Sequence, residues 1–273
     1  MKFEYFAPDP DDQLRSSGFN FVQRLLSGHP DAPAMTALMP DLRSQAVEVV
    51  REVVAEVRPR LRGGLHLATI PLTLAAGVAL IALSPTGSTR VGSVVFTVSA
   101  LAMFTGSAVY HRGNWSTRTR AILRRVDHAN IFLLIAGSCT AYCLLLLDGR
   151  QRAVLLLVVW IGALLGALFG ICWINSPRWL HTPIYVALGA AGLFFTPGFL
   201  DGASRLDAGL GAATLILLST GGVLYAVGGA VYGFQRPNPW PEWFGFHEVF
   251  HTLTILAFGS HFTGVWLATL SMR

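Results

Sequence analysis

Seven apolar runs decide what this chain can become. They cover approximately residues 64–84, 91–111, 128–147, 152–174, 182–199, 209–233 and 246–270. At about 1.5 Å of rise per residue, a helical run of roughly 20 residues crosses a hydrocarbon core of about 30 Å. Backbone N–H and C=O groups in hydrocarbon must be satisfied within the segment, so each run is expected to be a helix. Stretches such as "IGALLGALFG", "ALGAAGLFF" and "STGGVLYAVGGAVYG" mix bulky apolar residues with Gly, Ala and Ser, the composition that lets membrane helices approach closely. Only 13% of the residues are charged, against about 25% in soluble chains. The expected fold is all-α: a polytopic integral membrane protein with seven transmembrane helices.

Three regions follow from this reading. Residues 1–42 form a polar N-terminal arm with Pro and Asp clusters. Residues 43–62 contain "SQAVEVVREVVAEV" (44–57), whose apolar residues recur at helical spacing, and are expected to form an amphipathic juxtamembrane helix. Residues 63–273 form the seven-helix transmembrane domain. The opening "MKFEYFAPDPDD" turns acidic and Pro-rich where the apolar core of a cleavable signal would begin, so none is expected. Taking hydrophilic segments alternately, one set carries Arg51, Arg58, Arg60, Arg62, Arg112, Arg118, Arg120, Arg124, Arg125, Arg178 and Arg236, and the other Arg90, Arg150, Arg152, Arg205 and Arg273. Eleven against five puts the N-terminus in the cytoplasm. The net charge of +5 is thereby read as topology and contact with anionic headgroups. Membrane lipids are the expected partners, nucleic acid is not, and the expected location is the cell membrane. Cys139, Cys143 and Cys172 lie within apolar runs without zinc-ribbon spacing and read as small buried residues.

Polar residues collect at one depth. The second run ends in "FTGSAVYHR", which places Ser107 and His111 at its cytoplasmic end; the third is expected to begin after "RRVDHAN", with Asp127; the seventh begins "FHEVFH", with His247 and His251. Ionisable groups in membrane helices are costly and usually face a partner or a wet cavity. His247 and His251, four apart, share a helix face, as do Ser107 and His111. If the second and seventh helices face one another, three imidazoles converge and leave a fourth position for water, the arrangement of catalytic zinc. Imidazole also suits copper, iron or nickel. Asp127 would orient a ligand histidine or hold the water, and Ser107 would donate to a substrate carbonyl or to Asp127.

Taken alone, "HEVFH" matches the zincin signature, in which two histidines one turn apart bind zinc and the glutamate is general base. A downstream third ligand is missing, however. His261 follows ten residues later with no intervening turn, about 15 Å along a straight helix. Glu248 lies about 100° around the helix from His247 and is better placed to cap the helix start. His66 is expected near the same polar cluster but not as a ligand, and His128 is expected to point away from it.

The pieces "RGGLH", "SALAMFTGSAVYHR", "RRVDHANIFLLIAGSCTAY" and "FGFHEVFHTLTILAFGSHF" resemble the hemolysin III family, within the wider group of progestin and adiponectin receptors and alkaline ceramidases. The likeness covers roughly residues 58–270, with Ser-x-x-x-His, Asp and His-x-x-x-His in order on the second, third and seventh of seven helices. It implies that His111, His247 and His251 bind Zn2+, with Asp127 and Ser107 beside them as the catalytic pair. The activity it implies is a zinc-dependent membrane hydrolase acting on lipid amide or ester bonds, ceramidase-like. Two alternatives stand beside it: a pore-forming, cytolytic membrane protein, and a receptor-like regulator of membrane lipid composition. The polar residues gather at one depth instead of threading the membrane, and the outer loops are short; neither favours the alternatives.

Overall fold

A computed structural model describes residues 59–173, 178–240 and 242–273. The N-terminal arm and the amphipathic segment 44–57 lie outside the described residues. Among the described residues there are eight α-helices: α1 (Gly64–Leu83), α2 (Ser88–Arg112), α3 (Thr117–Leu146), α4 (Gly149–Cys172), α5 (Arg178–Gly189), α6 (Thr196–Ser204), α7 (Ala208–Phe234) and α8 (Phe246–Ser271). A 3₁₀ segment, Ala190–Phe195, joins α5 to α6, so that Leu180–Ser204 is one span. Seven helices are thus long and apolar enough to cross a membrane, and the protein is an all-helical, multi-pass membrane protein.

Two elements differ from expectation. The third helix starts at Thr117, not after the "RRVDHAN" stretch. Ser116 caps it, its hydroxyl accepting from the Thr119 N–H at 3.3 Å. Asp127 therefore sits nearly three turns inside α3 instead of at its start. The arginines preceding it ride on helix; Arg125 donates through Nε to the Ile171 carbonyl at the end of α4, 3.1 Å away, satisfying a carbonyl that has no intrahelical donor. The fifth span is also broken where one continuous run was expected. Pro183, Gly189, Gly192 and Pro197 punctuate it, and Pro197 opens α6 at a position where its missing N–H costs nothing.

Helix α3 is the most buried of the seven spans. It packs against α2, α4, α5, α6 and α8, while α8 packs against α7 and turns back onto α1. Small residues permit this. A Cβ on Gly92 of α2 would come within 3.2 Å of the Ala141 backbone on α3, and one on Gly202 of α6 would collide with the Leu146 carbonyl. Phe96, Phe104, Phe132, Leu134 and Tyr142 fill the interior, whereas Leu72, Leu157, Leu165 and Phe194 point outward, where acyl chains would cover them.

Three other arginines also serve helix ends. Arg90 donates through Nη2 to the Ser84 carbonyl after α1 (2.9 Å), Arg152 through Nε to the Leu147 carbonyl after α3 (2.6 Å), and Arg205 through Nη2 to Leu146 (2.8 Å). Asp148 holds Arg152 and Arg205 together, and the Arg205 guanidinium keeps its carboxyl below the usual carboxylate range.

Gly63 is a close joint between the start of α1 and the end of α2. It has φ 73°, and an added Cβ would lie 2.7 Å from His111 Cβ. Gly149 has φ 52° but open space around it. Gly63→Ala is expected to destabilise by about 2–3 kcal/mol, combining left-handed strain with a clash, and Gly149→Ala by about 1 kcal/mol from strain alone. Thermal unfolding in detergent would check the order; equal losses would show that the approach to His111 carries no energy.

Candidate metal centre

The start of α8 is built around a buried carboxylate. Glu248 is fully buried; its Oε2 accepts from the Gly245 N–H at 2.9 Å and its Oε1 accepts from Arg62 Nε at 2.6 Å. One oxygen caps α8 and the other ties it to the segment before α1. Arg60 N–H donates to the Glu242 carbonyl (3.0 Å), and the Arg60 guanidinium lies over the Trp243 ring, 4.5 Å from its centroid. Glu248 is thereby committed to structure and does not play the zincin base.

This anchoring delivers His247 and His251 to His111. Nε2 of His247 lies 3.1 Å from Nε2 of His111. The ring centroids of the three histidines are 4.4–5.3 Å apart, each pair steeply inclined. Each offers one nitrogen, and these nitrogens all lie within 4.8 Å of one another. An imidazole nitrogen is either a donor or a lone pair. Two Nε2 atoms facing at this distance share one proton or one cation. Two nitrogens about 2.0–2.1 Å from a tetrahedral ion stand about 3.3 Å apart, close to the observed pair. The donor set, its burial and this spacing fit a metal ion held by three imidazoles.

Asp127 and Ser107 border the same space. Asp127 Oδ2 is 3.7 Å from His111 Nε2, so the carboxyl approaches the ligand nitrogen itself. That position faces a ligand of the ion and not the far side of the imidazole, where an orienting acceptor would sit. Asp127 Oδ1 and the fully buried Ser107 Oγ have no hydrogen-bond partner in the protein. The two residues are near enough to interact. Two buried polar atoms are left for something the chain does not supply.

All five site residues read from the sequence meet at one end of the bundle. His66, expected near the same polar cluster, makes a specific contact with it: its ring stacks on His251 at 3.9 Å and 18°. Tyr110, next to His111 in the chain and 4.5 Å from it between ring centroids, also borders the site; the His66–His251 stack joins two helices, and nothing in the pattern of one helix could have shown it. His128 neighbours His181 on α5 at 6.2 Å, away from the cluster. His261 sits deeper, its Nε2 donating to the Leu218 carbonyl (3.1 Å) and its own carbonyl accepting from Tyr142 Oη (3.1 Å).

Protein purified with metal present is expected to carry about one ion per chain, and His111→Ala, His247→Ala or His251→Ala each to lose most of it. Asp127→Asn should keep it. Glu248→Gln, which weakens the α8 anchor, should lower both thermal stability and metal retention. Metal analysis after dialysis reads all of these; full occupancy in the three alanine variants would remove the site.

Comparison with known proteins bears on the same elements. The model of the "Haemolysin-III related" family matches residues 55–262, which include all five site residues, His66 and His261. The "Hemolysin-3 homolog" of Bacillus subtilis (strain 168) is 32% identical over 146 residues, 54% of this chain and 65% of that protein. "Hemolysin-3" of Bacillus cereus is 26% identical over 151 residues, 55% of this chain and 65% of the relative. Each match thus spans somewhat less than two thirds of the relative. With the family model matching most of the chain, including every residue of the histidine cluster, the chain belongs to the haemolysin-III related family.

Proposed function

We propose that the protein is a zinc-dependent membrane hydrolase that cleaves a lipid amide or ester bond near the cytoplasmic headgroups. The observation that carries this reading is the convergence of His111, His247 and His251 within 4.8 Å, with Asp127 and Ser107 beside them. Three imidazoles are the donor set of catalytic zinc, which leaves a coordination position open, whereas structural sites are closed by four protein ligands. When bound, the ion would supply Lewis acidity toward a carbonyl oxygen and acidify water.

The chain's own residues supply the rest. Asp127, on the ligand side of His111, takes the proton of the attacking water and returns it to the leaving amine or alkoxide. Ser107, buried and unpartnered, donates its hydroxyl hydrogen to the oxygen on which charge develops. Phe104 and Phe258 wall the apolar side, a surrounding that suits acyl chains more than water. A ceramide-like lipid, with its amide just below the headgroup, fits the depth of the cluster. The names of the relatives suggest cytolysis, but Phe96, Phe104, Phe132 and Phe258 pack the centre of the bundle with aromatic surface, which does not favour a conducting pore.

The test is release of fatty acid from a panel of ceramides, acylated amines and ester lipids by zinc-loaded protein. Asp127→Asn is expected to lower kcat by about 10²–10⁴-fold with metal content unchanged, and Ser107→Ala by about 10²-fold. A zinc-loaded wild type that releases nothing from the panel sinks the hydrolase reading. Conductance in planar bilayers that survives His251→Ala would replace it with a pore.

A further inference from the structure

His66 is the feature that the metal reading leaves unused. It lies in the first turn of α1, fully buried, between the His251 ring (3.9 Å, 18°) and the Phe104 ring (5.2 Å, 59°). Neither its Nδ1 nor its Nε2 has a hydrogen-bond partner in the protein. A neutral imidazole always presents one N–H donor and one lone-pair acceptor. Burying both without partners incurs their full desolvation penalty. If packing between two rings were the only task, Phe or Leu at position 66 would do it without that penalty.

The partner of His66 is not the ion. A coordinated metal lies close to the plane of each imidazole that binds it. The His66 and His251 planes are nearly parallel and stacked, an arrangement in which the two rings would not both serve as ligands of one ion. This agrees with the grouping of His111, His247 and His251 without His66. An unpartnered donor and acceptor beside the metal site suit an oxygen atom of a ligand that enters it.

We infer that His66 is a substrate-contacting residue, hydrogen-bonding a carbonyl or carboxyl-type oxygen of a lipid acyl group held next to the three-histidine cluster. The inference rests on the metal reading above and deepens it, since it names the group recognised: an acyl carbon bearing oxygen, presented from the membrane side. His66 then belongs with Ser107, whose unpartnered hydroxyl approaches from α2, as a second hydrogen-bonding group from a different helix. Two such groups from α1 and α2 would fix the orientation of a planar amide or ester more strictly than either alone.

The experiment uses full-length protein in detergent, loaded with zinc, and a medium-chain alkyl hydroxamate as the probe. Binding is followed by calorimetry, and zinc is quantified separately. His66→Phe keeps an aromatic ring in the stack and removes both polar atoms; His66→Gln keeps a donor and an acceptor without the ring. His66→Phe is expected to retain stoichiometric zinc with unchanged zinc affinity and to bind the hydroxamate about tenfold more weakly. His66→Gln should recover part of that loss. With cobalt in place of zinc, the visible spectrum of His66→Phe without probe should match wild type, since no ligand to the ion has changed. Unaltered hydroxamate affinity in His66→Phe would overturn the inference while leaving the metal site intact. Loss of metal or an altered cobalt spectrum would overturn it differently, by making His66 part of the coordination shell or of its support. Failure of the wild type to take up metal at all would bring down the metal reading and this inference together, and reads differently from both.

Discussion

The position of everything at the functional end depends on one buried carboxylate. Glu248 has no exposed surface, yet each of its oxygens is satisfied, one by the Gly245 N–H and one by Arg62. Removing either partner would leave a charge in an apolar surrounding, among the costliest defects a protein can hold. The pair therefore dictates where α8 begins and how it is rotated. His247 and His251 inherit that rotation, lying one residue before and three after Glu248. The glutamate that makes "HEVFH" look like a protease motif is, in this fold, the clamp that aims the two histidines.

The clamp acts on a bundle already closed by small residues. Gly63 brings the start of α1 against His111, and Gly106 on α2 leaves room for Asn130 of α3, whose Nδ2 donates to the Ala102 carbonyl at 2.9 Å. These joints bring α1 and α2 together and set α3 at its depth, so that Asp127 meets His111. Deeper in the membrane the same device recurs: Gly264 makes way for the Tyr142 hydroxyl and Gly221 for the His261 ring. Polar contacts at both levels thus sit where a glycine allows close approach, because hydrocarbon supplies no other partner for the polar atoms.

Much of this was readable from the chain. The seven runs gave span limits within a few residues, apart from α3, because their length and apolarity are set by the thickness of the membrane. The three histidines were legible because two share a face at i, i+4 and the third ends a span at the same side. The early start of α3 was not: "TRTRAILRR" is too charged to register as membrane, and its helix is held by the Ser116 cap and by Arg125 at the end of α4. Four of the arginines read as topology signals or lipid contacts, Arg90, Arg125, Arg152 and Arg205, also cap helix ends at Ser84, Ile171, Leu147 and Leu146, a role that requires knowing which helices are neighbours. The His66–His251 stack was hidden for the same reason, since periodicity within a helix says nothing of the order of helices around a bundle.

The 3₁₀ segment Ala190–Phe195 has a geometric effect beyond its length. Each of its six residues advances about 120° around the axis instead of about 100°, so the polypeptide emerges rotated by roughly a third of a circle relative to an uninterrupted α-helix. That phase shift is what turns Gly198 toward Leu147 and Gln151, and Gly202 toward the Leu146 carbonyl. Wound as a plain α-helix, the same letters would aim both glycines elsewhere and present side chains where the backbones now meet, so the span would lose its berth against the far end of α3.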